Sequence, residues 1–215
     1  MAQTFAAAQS GDSDAVRDFQ TWSSLRLGYK VNKRLTLSLN QQLRLKDNSS
    51  TVDEYFTQLK AKYDFKNGIY FAGGLRFIRE NDDQGKVTGY ENHLRWQTDF
   101  GYEHNVERLE LDYRLRYQQK NELGVTETNS NNTARVRIQA TYNIKKWKFD
   151  PMFSSELFRD LEGQSFRKLR VTLGSEYDSK KAGTVSAFYR LERELQGSSP
   201  MTIHIAGIEY QFNIK

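Results

Sequence analysis

The sequence predicts an all-β chain: an antiparallel up-and-down β-barrel of the transmembrane kind, with about 12 strands in a range of 10–12. Three observations predict it. First, apolar and polar residues alternate. From Leu35 the odd positions read Leu35, Leu37, Leu39, Gln41, Leu43, Leu45, and the even ones Thr36, Ser38, Asn40, Gln42, Arg44, Lys46. Period two marks a strand with one apolar and one polar face. Second, the pattern recurs about every eighteen residues, in runs of about 11–14 residues. Globular strands average about five or six residues, whereas a tilted membrane strand needs about 9–11. Third, tight and looser connections alternate along the chain, as they do between the two rims of a membrane barrel.

Eleven runs follow in order. Run 18–31 ends at a tight Asn32-Lys33 turn. Run 35–46 carries the clearest alternation and leads into a polar connection, Asp47–Val52. Run 53–65 sets Leu59 opposite the phase of Glu54 and closes at Asn67-Gly68. That pair is the strongest hairpin signal in the chain, because both residues tolerate positive φ. Run 69–80 has Leu75 beside Arg76, and a loose Asn81–Gly89 connection follows. Run 90–102 sets Leu94 and Trp96 against Glu91, His93, Arg95 and Asp99, with a tight turn at His104-Asn105. Run 108–119 sets Leu111 and Tyr113 against Arg108, Asp112, Arg114 and Arg116. The polar, Asn-rich Asn121–Asn131 is the longest expected connection and belongs outside the cell in this scheme. Run 132–144 sets Val136 and Ile138 against Arg135 and Arg137, before Lys145-Lys146. Runs 147–159 and 166–177 carry Glu156 and then Lys168 and Arg170, joined by Asp160–Ser165. After the tight Ser179–Ala182, run 184–195 sets Val185 against Arg190, Glu192 and Glu194. Gln196–Pro200 then leads to run 201–213.

Eleven runs are awkward for a bacterial barrel, whose strands are normally even in number. A short strand over residues 3–9 would make twelve; one run lying off the barrel would make ten. The domain division is therefore an N-terminal segment, 1–17, and a barrel, 18–215. Ala6-Ala7-Ala8 before Gln9 also reads as the small-residue end of a secretory signal, although no basic n-region precedes it.

The 12 tyrosines and 13 phenylalanines suit strands, and their placement falls into two bands. Tyr29, Tyr63, Phe65, Phe71, Phe100, Tyr102, Tyr142, Trp147, Phe149, Tyr177 and Tyr210 lie near the tight turns, while Tyr55, Phe77, Tyr90, Tyr117 and Tyr189 lie near the looser ends. Interfacial girdles produce such bands. Mean hydropathy is low, −0.79, and no stretch approaches the ~20 apolar residues of a spanning helix. A membrane barrel tolerates this, since only every second residue meets lipid. A soluble sandwich or lipocalin-like barrel would share the same alternation. Cysteine is absent, so no disulfide or thiolate metal site is available. The net charge of +5 comes without a dense basic run interleaved with aromatics, which argues against nucleic acid.

Asp18-Phe19-x-x-Trp22, Leu35-x-Leu37-x-Leu39 running into Leu43-Arg44, Tyr90-Glu91-Asn92-His93-Leu94-Arg95-x-Gln97 and Gly207-x-x-Tyr210-x-Phe212 carry a family resemblance. Together they resemble domain-of-unknown-function family 2490, an uncharacterised outer-membrane family of Bacteroidota-type bacteria. The resemblance spans about 18–215 and implies a fold and a bacterial outer-membrane location. It carries no catalytic residues.

The candidate site is the polar face. Arg44, Arg76, Glu91, His93, Arg95, Asp99, Arg108, Asp112, Arg114, Arg116, Arg135, Arg137 and Arg170 form an expected charged lumen network. It either cross-links the barrel or lines a path for small anions or acidic sugars. In the 90–119 hairpin, one register sets Glu91 by Arg116, Arg95 by Asp112 and Asp99 by Arg108. A turn at His104-Asn105 instead sets Arg95 opposite Arg114 and Asp99 opposite Glu110. The first avoids like charges and is expected. His93, His104 and His204 have no metal-ligand spacing and no serine nucleophile motif beside them. No catalytic residue, metal or cofactor is assigned. The leading expectation is a monomeric outer-membrane barrel, a small pore or structural element embedded in lipid. The alternative is a lipid- or glycan-binding barrel, membrane-embedded or soluble and lipocalin-like. A rim-sited outer-membrane enzyme is the third reading.

Overall fold

A computed structural model describes residues 17–83, 88–125, 130–179 and 182–214. The strands are β1 (Arg17–Lys30), β2 (Leu35–Lys46), β3 (Thr51–Asp64), β4 (Ile69–Asp82), β5 (Gly89–Val106), β6 (Leu109–Glu122), β7 (Ser130–Tyr142), β8 (Phe149–Asp160), β9 (Phe166–Ser179), β10 (Gly183–Glu194) and β11 (Thr202–Ile214). They form one closed barrel in sequential order. Every pairing is antiparallel except β1 with β11, which run parallel from Arg17↔Thr202 to Tyr29↔Ile214. An odd number of up-and-down strands can close only through one parallel pair. Eleven lies inside the expected 10–12, while residues 3–9, the candidate twelfth strand, lie outside the described residues. All eleven expected runs are strands. Arg17 begins at the rim of looser connections and Ile214 ends at the rim of tight turns.

The alternation sorts side chains as the sequence requires. Outward positions are apolar and exposed: Leu59 is 61% exposed and Val136 54%. Inward positions are polar and shielded: Asp99 is 1% exposed and Gln97 2%. A soluble lipocalin-like barrel has the opposite arrangement, an apolar interior and a polar exterior. The aromatic bands are visible as ring contacts on the outer surface. Near the tight turns, Tyr63 meets Phe65, Trp147 meets Phe149, Phe149 meets Tyr177, and His104 stacks between Tyr102 and Tyr113. Near the looser rim, Tyr55 meets Tyr90 and Trp96 meets Tyr117.

At the Asn67-Gly68 turn both residues have positive φ, 70° and 80°, the geometry that suits the twist of a tight hairpin. A Cβ on Gly68 would lie 2.0 Å from the Glu103 carbonyl oxygen, so the turn also needs glycine to lie against β5. Connection lengths contrast less than expected. Residues 123–129 and 195–201 are equally long on the loose side, and 143–148 on the tight side exceeds 47–50 on the loose side.

The 90–119 hairpin has neither expected register. Asp99 faces Arg116, Arg95 faces Lys120, Gly101 faces Arg114 and Asn105 faces Glu110. β5 continues through His104-Asn105 to Val106, and the turn forms at Glu107-Arg108, with Glu107 at φ 55°. The outer-face stack of Tyr102, His104 and Tyr113 extends the hairpin past the nominal turn signal. Inside, the register gives Arg116 a bidentate grip on Asp99, at 2.6 and 2.9 Å.

Candidate functional site

The lumen holds a cavity of about 780 Å³ that runs from Gly28 and Asn213 near the tight rim to Lys120 and Glu194 near the loose rim. Fifteen lysines and arginines line it against five carboxylates, among the described residues.

A belt of arginines and aromatic rings encircles the cavity. The Arg76 guanidinium lies 3.5 Å from the ring centre of Phe56, which also carries Arg44 at 5.3 Å. Arg44 lies 3.7 Å over Trp22. The same indole receives Arg190 at 4.9 Å and Arg170 at 5.5 Å. Arg170 continues to Phe158 at 4.7 Å, where Arg135 stacks at 4.3 Å. Arg135 is the cross-strand neighbour of Arg116, and Arg95 that of Arg76. Every strand except β11 contributes to this belt. β11 contributes Gly207, paired with both Trp22 and Phe188. A Cβ there would lie 2.1 Å from the Phe188 ring, so the missing side chain is what admits that ring. Tyr70 lies over Gly101 in the same way, with 2.2 Å to such a Cβ. Stacking holds each guanidinium flat while leaving N–H groups free to donate.

Buried carboxylates anchor part of the belt. Glu156 accepts from Arg114 at 2.6 Å, from Arg135 at 2.6 and 3.1 Å, and from Arg170 at 3.4 Å. Asp99 is shared by Arg116 and by Lys60 at 2.9 Å. Glu54 holds Arg44 at 2.6 Å, Asp112 holds Arg137 at 2.9 Å, and Glu192 pairs with Lys168 and Arg170. Each of these ion pairs joins adjacent or next-but-one strands. Among the described residues none spans opposite walls, so these pairs brace the wall without bridging the lumen. Arg76, Arg95 and Arg190 have no carboxylate partner among the described residues.

Of the residues expected in the network, Arg44, Arg76, Arg95, Asp112, Arg114, Arg116, Arg135, Arg137 and Arg170 line the cavity. Asp99 lies behind it, bonded to Arg116. Glu91 and His93 lie apart, nearer the loose rim, with His93 Nε2 3.3 Å from Glu91 and 3.5 Å from Glu80. Arg108 does not join the network, because it occupies the β5–β6 turn and is exposed. The inward aromatics Trp22, Phe56, Phe158 and Phe188 were missed. Their signal is an aromatic residue in the polar phase of an alternating run.

A second cavity of about 600 Å³ at the loose rim includes His93, Ser130 and Asp160. Among the described residues, no serine hydroxyl is hydrogen-bonded to His93, and no three metal-binding side chains come together. Outside the barrel, Tyr189 Oη and His204 Nδ1 lie 2.5 Å apart.

Among solved structures, the crystal structure of the beta domain of the Bordetella autotransporter BrkA is similar, with a TM-score of 0.55 and 14% identity over 86% of each chain. At that identity the likeness is one of fold. No curated protein matches the chain in sequence. A family model, described as protein of unknown function (DUF2490), matches residues 19–199. The match covers most of the barrel, and the chain belongs to that family.

Proposed function

We propose that this chain is a bacterial outer-membrane β-barrel whose arginine-lined lumen is a path for small anionic solutes. One observation carries the reading: the apolar face is outside and exposed, while the cations are inside around a cavity. Water is the wrong solvent for that exterior and lipid the right one. The two aromatic bands fit the two membrane interfaces, and a fold shared with an autotransporter beta domain agrees. The polar lumen suits an anion or acidic sugar rather than a lipid chain. The barrel acts as a monomer in this reading, since closure leaves no sheet edge to pair. A second reading, a purely structural barrel, draws on the same ion pairs that brace the walls.

Planar bilayers separate the two. The refolded barrel is expected to conduct and to prefer chloride over potassium, read as the reversal potential in a salt gradient. Cation preference would overturn the anion path. A folded barrel, with heat-modifiable gel mobility, that never conducts would leave the structural reading. Orientation has its own test. An epitope inserted after Gly124, exposed in the β6–β7 connection, is expected to be detected on intact cells. Staining only after permeabilisation would invert the barrel.

A further inference from the structure

On the β4–β5 wall, two arginines with no ion pair among the described residues face one another. Arg76 and Arg95 are direct cross-strand partners, and Arg95 faces Lys120 on its other side. Direct like-charge neighbours are unfavourable. Elsewhere in the lumen such pairs are offset: Arg116 beside Arg135 and Arg114 beside Arg137 reach Asp99, Asp112 or Glu156. Here they are not. Lys120 is held by Glu80, and Glu54 is held by Arg44. Lys60 and Arg116 share the single carboxylate Asp99. Among the described residues, no carboxylate lies within ion-pair distance of Arg76 or Arg95.

Residues of this wall also carry unpartnered polar atoms, as Arg114, Arg137 and Arg170 do elsewhere in the lumen. Arg95 Nε is buried without a hydrogen-bond partner. Two residues along the same face, Gln97 is 2% exposed, and neither its Oε1 nor its Nε2 has a partner. Gly74 lies opposite Gln97 on β4. Arg76 is fixed by Phe56 beneath it and by its Nε donating to Gln58 Oε1 at 2.7 Å. Its two terminal nitrogens have no hydrogen-bond partner among the described residues. Buried polar groups in native proteins are nearly always satisfied, and an exception calls for a reason. Water would satisfy the amide of Gln97 but would not offset the charge.

We propose that Arg76 and Arg95, with Gln97 behind them, form an oxyanion site on this wall, taking a phosphate-class dianion, free or esterified to a small solute. Two guanidinium forks match several oxygens at once, and two cations without an ion-pair partner favour a dianion over a monocarboxylate. The site rests on the reading of the lumen as an anion path. It adds that phosphate is retained there and slows the passage of chloride.

The test uses the folded full chain. Inorganic phosphate is titrated into chloride while bilayer current is recorded, and in parallel into the detergent-solubilised barrel in a calorimeter. Phosphate is expected to bind and to reduce the chloride current, with glucuronate at least about tenfold weaker. Arg95→Gln and Arg76→Gln are each expected to weaken phosphate at least about tenfold. Arg95→Lys, which keeps the charge and loses the fork, is expected to weaken it severalfold. Arg26→Gln, near the tight rim and paired with Glu209, is expected to change it less than twofold. Heat-modifiable mobility identifies folded variants, and a hexose phosphate separates the esterified from the free anion. Equal binding of phosphate and glucuronate, or an unaffected Arg95→Gln, would overturn the site while leaving the anion path intact. A barrel that binds phosphate in the calorimeter but never conducts would overturn the path and leave the site.

Discussion

Glu156→Gln is expected to lower stability by about 3 kcal/mol, the lower end of what removing one member of a buried ion cluster costs. Three arginines from three strands, Arg114, Arg135 and Arg170, converge on this carboxylate. Glutamine keeps the shape and a carbonyl acceptor but removes the charge. The three guanidiniums then repel one another in a site shielded from bulk water. The lumen is wetter than a protein core, which is why the lower end of the range applies. The measurement is the urea midpoint of the refolded barrel in lipid vesicles. The same variant should become more anion-selective, because a fixed negative charge leaves the lumen. An unchanged midpoint would mean that lumen water screens the cluster completely, and the carboxylate would lose its role as an anchor. Glu192→Gln gives a graded comparison, since among the described residues that carboxylate pairs with two cations, Lys168 and Arg170.

The fold was legible because period-two alternation is a property of single residues. Leu37, Leu59, Val136 and Ile138 all lie on the outer face, and no tertiary knowledge is needed to see their shared phase. The site was legible only as a face. Which cations meet depends on register, and register in the β5–β6 hairpin was set by forces the local signals do not show. The Asn-containing turn signal at His104-Asn105 lost to a stack of three rings on the outer surface. The rule against facing like charges lost as well. Arg116 faces Arg135 and still finds Asp99 on the other neighbouring strand. Long side chains in a barrel reach beyond their direct partners: Arg114 on β6 reaches Glu156 on β8, two strands away. A rule built on adjacent pairs cannot see that reach. Arg108 shows the converse error. Its even number placed it in the lumen phase, but a turn three residues later than expected removed it from the strand.

The outer face gives the other large effect. Val136→Arg is expected to cost about 2–4 kcal/mol, the penalty for a cation on the lipid face near the bilayer midplane. Val136 lies at the middle of β7, between Leu115 and Leu157 on the neighbouring strands, with no carboxylate among those partners. An arginine there would have to snorkel past about half a strand to reach water. Depth makes the prediction specific. Leu111 points outward too, but it is the third residue of β6 beside the tight turn, so Leu111→Arg should cost only about 0–1 kcal/mol. Side makes it more specific still. Gln139, three residues along β7 from Val136, faces the cavity, and Gln139→Arg should leave stability within about 0.5 kcal/mol while shifting ion selectivity. Urea midpoints in lipid vesicles rank the three variants. Lipid contact predicts Val136→Arg as the outlier. If Val136→Arg were as mild as Gln139→Arg, the exposed apolar belt would be facing water or a polar partner. The outer-membrane assignment would then fall even though the barrel stands.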